Sequence, residues 1–116
     1  MHEQLKSALD FSNYQQTFSI QKKSLKERTE AKLTYGHSGG IFYIDKTLLT
    51  FVDMLCNKGR TASVVLLDQN QNPILIKDLT DFYEEILSRY FEVTNEYFEQ
   101  YEQIKKSRSV EKLLNL

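Results

Sequence analysis

Asp78-Leu-Thr-Asp-Phe-Tyr-Glu-Glu-Ile-Leu-Ser-Arg-Tyr-Phe-Glu-Val-Thr-Asn-Glu-Tyr-Phe-Glu-Gln-Tyr-Glu-Gln-Ile104 is the stretch whose reading decides the fold. It contains neither Gly nor Pro, and it holds seven of the chain's fourteen aromatic residues. Positions 83, 86, 90, 93, 97, 101 and 104 recur at steps of three and four, the spacing of one helical face. Phe82, Leu87, Phe91, Thr94 and Phe98 widen that face beyond a two-residue seam. Asp78 can accept from the free N–H groups of a first turn, and Asp81 and Glu84 suit its positive end. One long helix over 78–114 is the expectation. Its aromatic arc needs more than one packing partner.

Outward from this helix, residues 3 to about 33 form a second long one, and the whole segment 1–34 is assigned to it. Leu5, Ala8, Phe11, Tyr14, Phe18, Gln21, Leu25 and Arg28 follow the same steps. Tyr35-Gly-His-Ser-Gly-Gly40 breaks the periodicity. The segment 39–77 between the helices reads as a β-α-β-β head. Ile41-Phe-Tyr-Ile is a strand, Asp45 caps a helix over 46–58 that Gly59 ends, and Ala62–Leu67 and Ile74–Ile76 are two more strands. Asp68-Gln-Asn-Gln-Asn-Pro73 is turn chemistry and makes a hairpin of the last two. Both are apolar at consecutive positions, which predicts a three-stranded sheet covered on both faces. The fold class is therefore α+β: two long antiparallel helices flanking a small head, in a single domain of 116 residues.

Composition narrows the function classes. A net charge of −1 supplies no global field for nucleic acid or a membrane. The lone Cys56 cannot form an internal disulfide and fits a reducing compartment, and no apolar run is long enough for a signal peptide or a membrane span. The expected location is cytoplasmic. Charge is nevertheless unevenly placed. Residues 78–102 carry eight acidic side chains against Arg89 alone, whereas Lys22, Lys23, Lys26, Arg28 and Lys32 cluster against Glu27 and Glu30. Paired antiparallel, the basic block lies beside the acidic start of the last helix, and the basic tail reaches toward Glu3 and Asp10.

Several motifs offer chemistry. Gly36-His-Ser-Gly-Gly40 matches the letters of a nucleophile elbow, but that elbow needs a strand before the serine and a helix after it. Here a helix precedes and a strand follows, so the glycines read as a turn. Glu85, Glu92, Glu96, Glu99 and Gln103 form a stripe opposite the aromatic face without the Glu-x-x-His of a carboxylate metal site, and they read as a solvated face. Neither a cofactor nor a metal is expected. Lys22, Lys23, Lys26, Arg28, Lys105, Lys106 and Arg108 are candidate phosphate contacts, with pairing to the acidic helix as the competing use.

Gly39-Gly-Ile-Phe-Tyr-Ile-Asp-Lys-Thr-Leu-Leu-Thr-Phe-Val52, Ser88-Arg-Tyr-Phe-Glu-Val-Thr-Asn-Glu-Tyr-Phe98 and Lys105-Lys-Ser-Arg108 resemble stretches of small, mostly uncharacterised proteins encoded by contractile-tailed marine cyanophages. The resemblance implies a viral protein made in a bacterial cytoplasm, with a role in virion assembly such as a prohead-core or scaffold component. The helix–β–helix plan is also similar to that of prefoldin-type chaperone subunits, from which the helix at 46–58 departs. The first reading is thus a non-enzymatic, homo-oligomeric assembly protein, with a dimer as the simplest form. Its interface is expected at Tyr90, Phe91, Val93, Tyr97, Phe98, Tyr101 and Ile104. The second is a nucleic-acid- or polymerase-associated regulator using the basic patches. The third is a hydrolase using Ser38.

Overall fold

A computed structural model of the chain describes residues 2–116. The order of elements is α1 (His2–Lys32), β1 (Thr34–His37), β2 (Gly40–Tyr43), α2 (Lys46–Asn57), β3 (Ala62–Leu67), β4 (Pro73–Asp78), α3 (Leu79–Lys106) and α4 (Val110–Leu114). The long helices flank two small sheets, each of two antiparallel strands. The packing divides the chain into a unit of residues 30–94 and a unit formed by residues 1–29 with 95–116.

In the unit of residues 30–94, local chemistry sets each element. Asp45 caps α2 by accepting the Leu48 N–H at 2.8 Å, and Gly59 leaves that helix with φ +74°. Asp78 accepts the Asp81 N–H at 3.1 Å and opens α3. Inward residues from every element then converge. Phe42, Ile44, Val52, Leu66, Ile76, Leu79, Phe82 and Ile86 form one core. Phe82 sits at its centre, with the Phe42 ring 5.2 Å away edge to face.

The expected three-stranded sheet does not form. Thr34–His37, read as a break, is instead a strand that pairs with β2 from Thr34↔Tyr43 to His37↔Gly40. Ser38 (φ 52°) and Gly39 (φ 84°) make the two-residue turn between them, both in the left-handed region that such hairpin turns require. The pairing uses one edge of β2. Its other edge hydrogen-bonds to the second hairpin through Ile41, whose carbonyl accepts the Gln69 N–H at 2.7 Å. The Asp68 carboxylate accepts the Ile41 N–H at 3.1 Å. Two residues later β2 ends, so no ladder to β3 can propagate.

Asp68 fastens more than this contact. Its other oxygen accepts the N–H groups of Asn70 and Asn72, both at 2.9 Å, and the side chain is buried. Three donors favour the charged form and hold its pKa below the ordinary carboxylate value. A lowered folded-state pKa stabilises above the unfolded value near 3.9 and loses that contribution as pH falls through the folded one. In acid titrations followed by circular dichroism, Asp68→Asn should lower stability at neutral pH and flatten its fall toward low pH. An unchanged acid limb would show that the carboxylate does not hold the hairpins.

Gly40 faces inward where a side chain has no room. A Cβ there would stand 2.5 Å from Ile74 Cγ1 and 2.9 Å from Cδ1. Gly40→Ala should therefore destabilise by about 1–3 kcal/mol, as overpacking does, and adding Ile74→Ala should recover part of the loss in urea melts.

In the other unit, Leu25, Ile104 and Leu113 are buried together with Tyr14, Phe18, Tyr97 and Tyr101 packed against them. Tyr14 donates its hydroxyl to the Ser107 carbonyl at 2.6 Å, while Lys22 lies 5.7 Å from the Tyr101 ring centre. As the first index rises the second falls, so the segments run antiparallel here. The helix expected over 78–114 is interrupted: α3 stops at Lys106, and Ser109 caps α4 by accepting the Lys112 N–H at 3.2 Å. Ser107 Oγ donates back to the Gln103 carbonyl at 2.8 Å. This short corner lets α4 deliver Leu113 into the core, where it is fully buried.

Candidate interaction surface

The stripe on α3 is the buried face that its periodicity describes, shared between two cores. Ile86 and Val93 belong to the core of residues 30–94, with Tyr83 and Tyr90 packed against it. Ile104 belongs to the other core, with Tyr97 and Tyr101 against it. Of the expected interface residues, Val93 and Ile104 are thus occupied inside the chain. Phe91 (55% exposed) and Phe98 (65%) stand open, each in its own unit.

The candidate phosphate contacts Lys22, Lys23, Lys26, Arg28, Lys105, Lys106 and Arg108 are all exposed. Lys22 lies over the rings of Phe18 and Tyr101, and Lys105 over Tyr101 while bonding Glu102 at 3.3 Å. Arg28 donates to Ser24 Oγ at 2.7 Å. Arg108 lines a cleft of about 590 Å³ with Asp10, Asn13, Tyr14 and Thr17, the side toward which the tail was expected to reach. Aromatic faces therefore take up part of the charge that was expected to meet carboxylates.

Ser38 occupies the exposed tip of the first hairpin. Strands flank it on both sides, in place of the expected preceding helix. His37 stacks on Tyr35 and sets its ring against the edge of Phe82, with centres 5.0 Å apart. Among the carboxylates, Glu85 accepts the Tyr35 hydroxyl. Burial, followed by that bond, pushes the Tyr35 phenol up to about 12. The phenol then keeps its proton in the folded state where the unfolded chain has lost it, so stability should fall between about pH 10 and 12. Tyr35→Phe should make that alkaline fall shallower in melts across this range, the rest belonging to Tyr43 and Tyr83, whose phenols burial also raises. Burial also pushes the Cys56 thiol up, with Asp53 adding to it, which favours the protonated form. Among the described residues no three His, Cys, Asp or Glu side chains are grouped to hold a metal. No helix among them is long and apolar enough to cross a membrane.

The surface that the sequence reading did not place lies on the hairpins. The expected three-stranded sheet was to be covered on both faces, yet β3 and β4 bury one face only. Val64, Leu66, Ile74 and Ile76 point inward, while Val65 (58% exposed), Leu67 (60%) and Leu75 (49%) point out. β2 adds Ile41 and Tyr43, outward and alternating with the buried Gly40, Phe42 and Ile44. Leu67, Tyr43 and Phe51 share a shallow cleft of about 340 Å³ with Leu48, Asp45, Asp68 and Gln71. The signal was present in Ala62-Ser-Val-Val-Leu-Leu67, where an ordinary solvated strand would alternate with polar residues.

Comparison with family models, characterised proteins and solved structures finds no match for this chain.

Proposed function

We propose that this protein is a non-enzymatic assembly factor that works by protein–protein contact and self-association. The apolar cluster on the outer face of the hairpins carries this reading. Large apolar side chains cover it where a solvated sheet would carry polar ones, and open apolar patches of this kind mark interaction sites. Exposed Phe91 and Phe98 on α3 add to the apolar surface available for contact. The groups that looked chemical are engaged in packing: His37 against Phe82, Glu85 with Tyr35, and Lys22 over aromatic rings. The resemblance to cyanophage proteins supplies the setting, virion assembly in a bacterial cytoplasm. Mass spectrometry of proheads purified from infected host cells tests it. The protein should be present in proheads or in their precursors at many copies per particle. Recovery only as a free chain throughout infection would contradict the proposal.

A further inference from the structure

We infer that residues 2–29 and 95–116 open and close together as one unit while residues 30–94 stay folded, which builds an order–disorder switch into the fold. The inference does not depend on the self-association proposed above.

Burial sets which part opens first, since segments with few buried apolar contacts open at the least cost. Among the described residues, the core of residues 30–94 holds ten buried apolar side chains, whereas the other holds Leu25, Ile104 and Leu113. The weak member is α1. Of its 31 residues only Leu25 and Thr29 are buried, both near its C-terminal end. Leu5, Leu9, Phe11 and Ile20 all stand exposed along it. A helix without a packed face is marginal in water, so α1 keeps its form only while Tyr14, Phe18 and Leu25 are seated. Their seats come from the other segment: Tyr14 bonds the Ser107 carbonyl, and Leu25 packs with Ile104 and Leu113. Neither segment can leave without uncovering its partner, so the two open together.

The place where opening stops is marked in both helices. Thr29 Oγ1 donates to the Leu25 carbonyl at 2.8 Å, and Thr94 Oγ1 donates to the Tyr90 carbonyl at 2.8 Å. A hydroxyl bonded back in this way competes for the carbonyl that the helix itself uses, and it weakens or bends the turn. Ser107 makes the same bond to Gln103, and there α3 has stopped one residue earlier. Thr29 and Thr94 fall at the division between the two units. Along the chain Thr29 lies between Leu25 of one core and Leu33 of the other, and Thr94 lies between Val93 and Tyr97. Each helix thus has its softened turn where its packing changes from one core to the next. Opening up to these turns bares Leu25, Ile104 and Leu113, apolar surface that the closed state keeps from any partner.

The test is native-state amide exchange of the full chain in dilute urea, resolved by residue, for wild type, Leu25→Ala and Ile76→Val. In wild type, the amides of residues 14–25 and 97–104 should share one opening equilibrium. It should be populated at least roughly tenfold more than that of the slowest amides in β2 and β3. Leu25→Ala should quicken both helical segments together by at least roughly tenfold and leave the slowest strand amides unchanged. Ile76→Val, a milder change in the core of residues 30–94, should quicken the strand amides several-fold and leave the helical segments unchanged. A Leu25→Ala chain that unfolds throughout, or whose strand amides quicken by the same factor, is one cooperative unit and overturns the inference. So does a response of residues 14–25 without residues 97–104. Helical segments that quicken with Ile76→Val as much as the strands do would overturn it as well.

Discussion

Phe82→Ala should cost about 3–5 kcal/mol, the range for removing a buried aromatic ring from a core that relaxes only in part. Phe82 is fully buried at the head of α3, and rings from β1 and β2 pack on it. Phe42 meets it from β2 at 5.2 Å, while His37 and Tyr35 meet it from β1 at 5.0 and 6.2 Å. Two hairpins of this size are marginal by themselves, so their stability comes from packing on this ring and its neighbours. A domain's whole stability is commonly about 5–15 kcal/mol. Urea titration followed by tyrosine fluorescence and circular dichroism should show a large fall in midpoint, with the hairpins lost together. A loss under about 1 kcal/mol, small by the standard of buried-core truncations, would mean that the ring does not hold the hairpins in place.

Leu113→Ala should cost the other unit about 2–5 kcal/mol, a large effect for one residue of a five-residue helix. Leu113 is fully buried with Leu25 and Ile104, although Leu114 and Leu116 beside it stand open. A helix of five residues has almost no stability of its own, so α4 holds its place through this side chain. Ending the chain after Lys106 should have at least the same effect, since it also removes the Ser107 carbonyl that accepts from Tyr14. Amide exchange in residues 14–25 and 97–104 should quicken in both variants. Exchange unchanged in those segments would show that α4 is not part of the core.

The legible parts of the fold were those written in periodic apolar residues or in a capping side chain. The stripe from Tyr83 to Ile104 announced α3, Asp45 and Gly59 bounded α2, and Asp68–Asn72 marked the second hairpin. Three features escaped for separate physical reasons. Thr34–His37 is a strand because a Ser-Gly turn returns the chain onto it. Its own four residues carry too little β-prone character to show this, and its glycine argues the other way. The corner after Lys106 lacks the Gly or Pro that usually announces a stop, and rests on two serines bonding to nearby backbone. The third concerns the outer face of the hairpins. Consecutive apolar residues marked both faces of the strands as apolar, but not that the chain itself covers just one. For the candidate surface, periodicity located the stripe on α3 without revealing that Val93 and Ile104 are already buried within the fold. The composition of β3 held the better clue.

Sedimentation equilibrium of the wild-type chain across the micromolar range tests the central claim most directly. The account predicts a discrete reversible oligomer, a dimer in the simplest case, whose dissociation follows mass action. A single species at the monomer mass of 13.7 kDa over the whole range would contradict it.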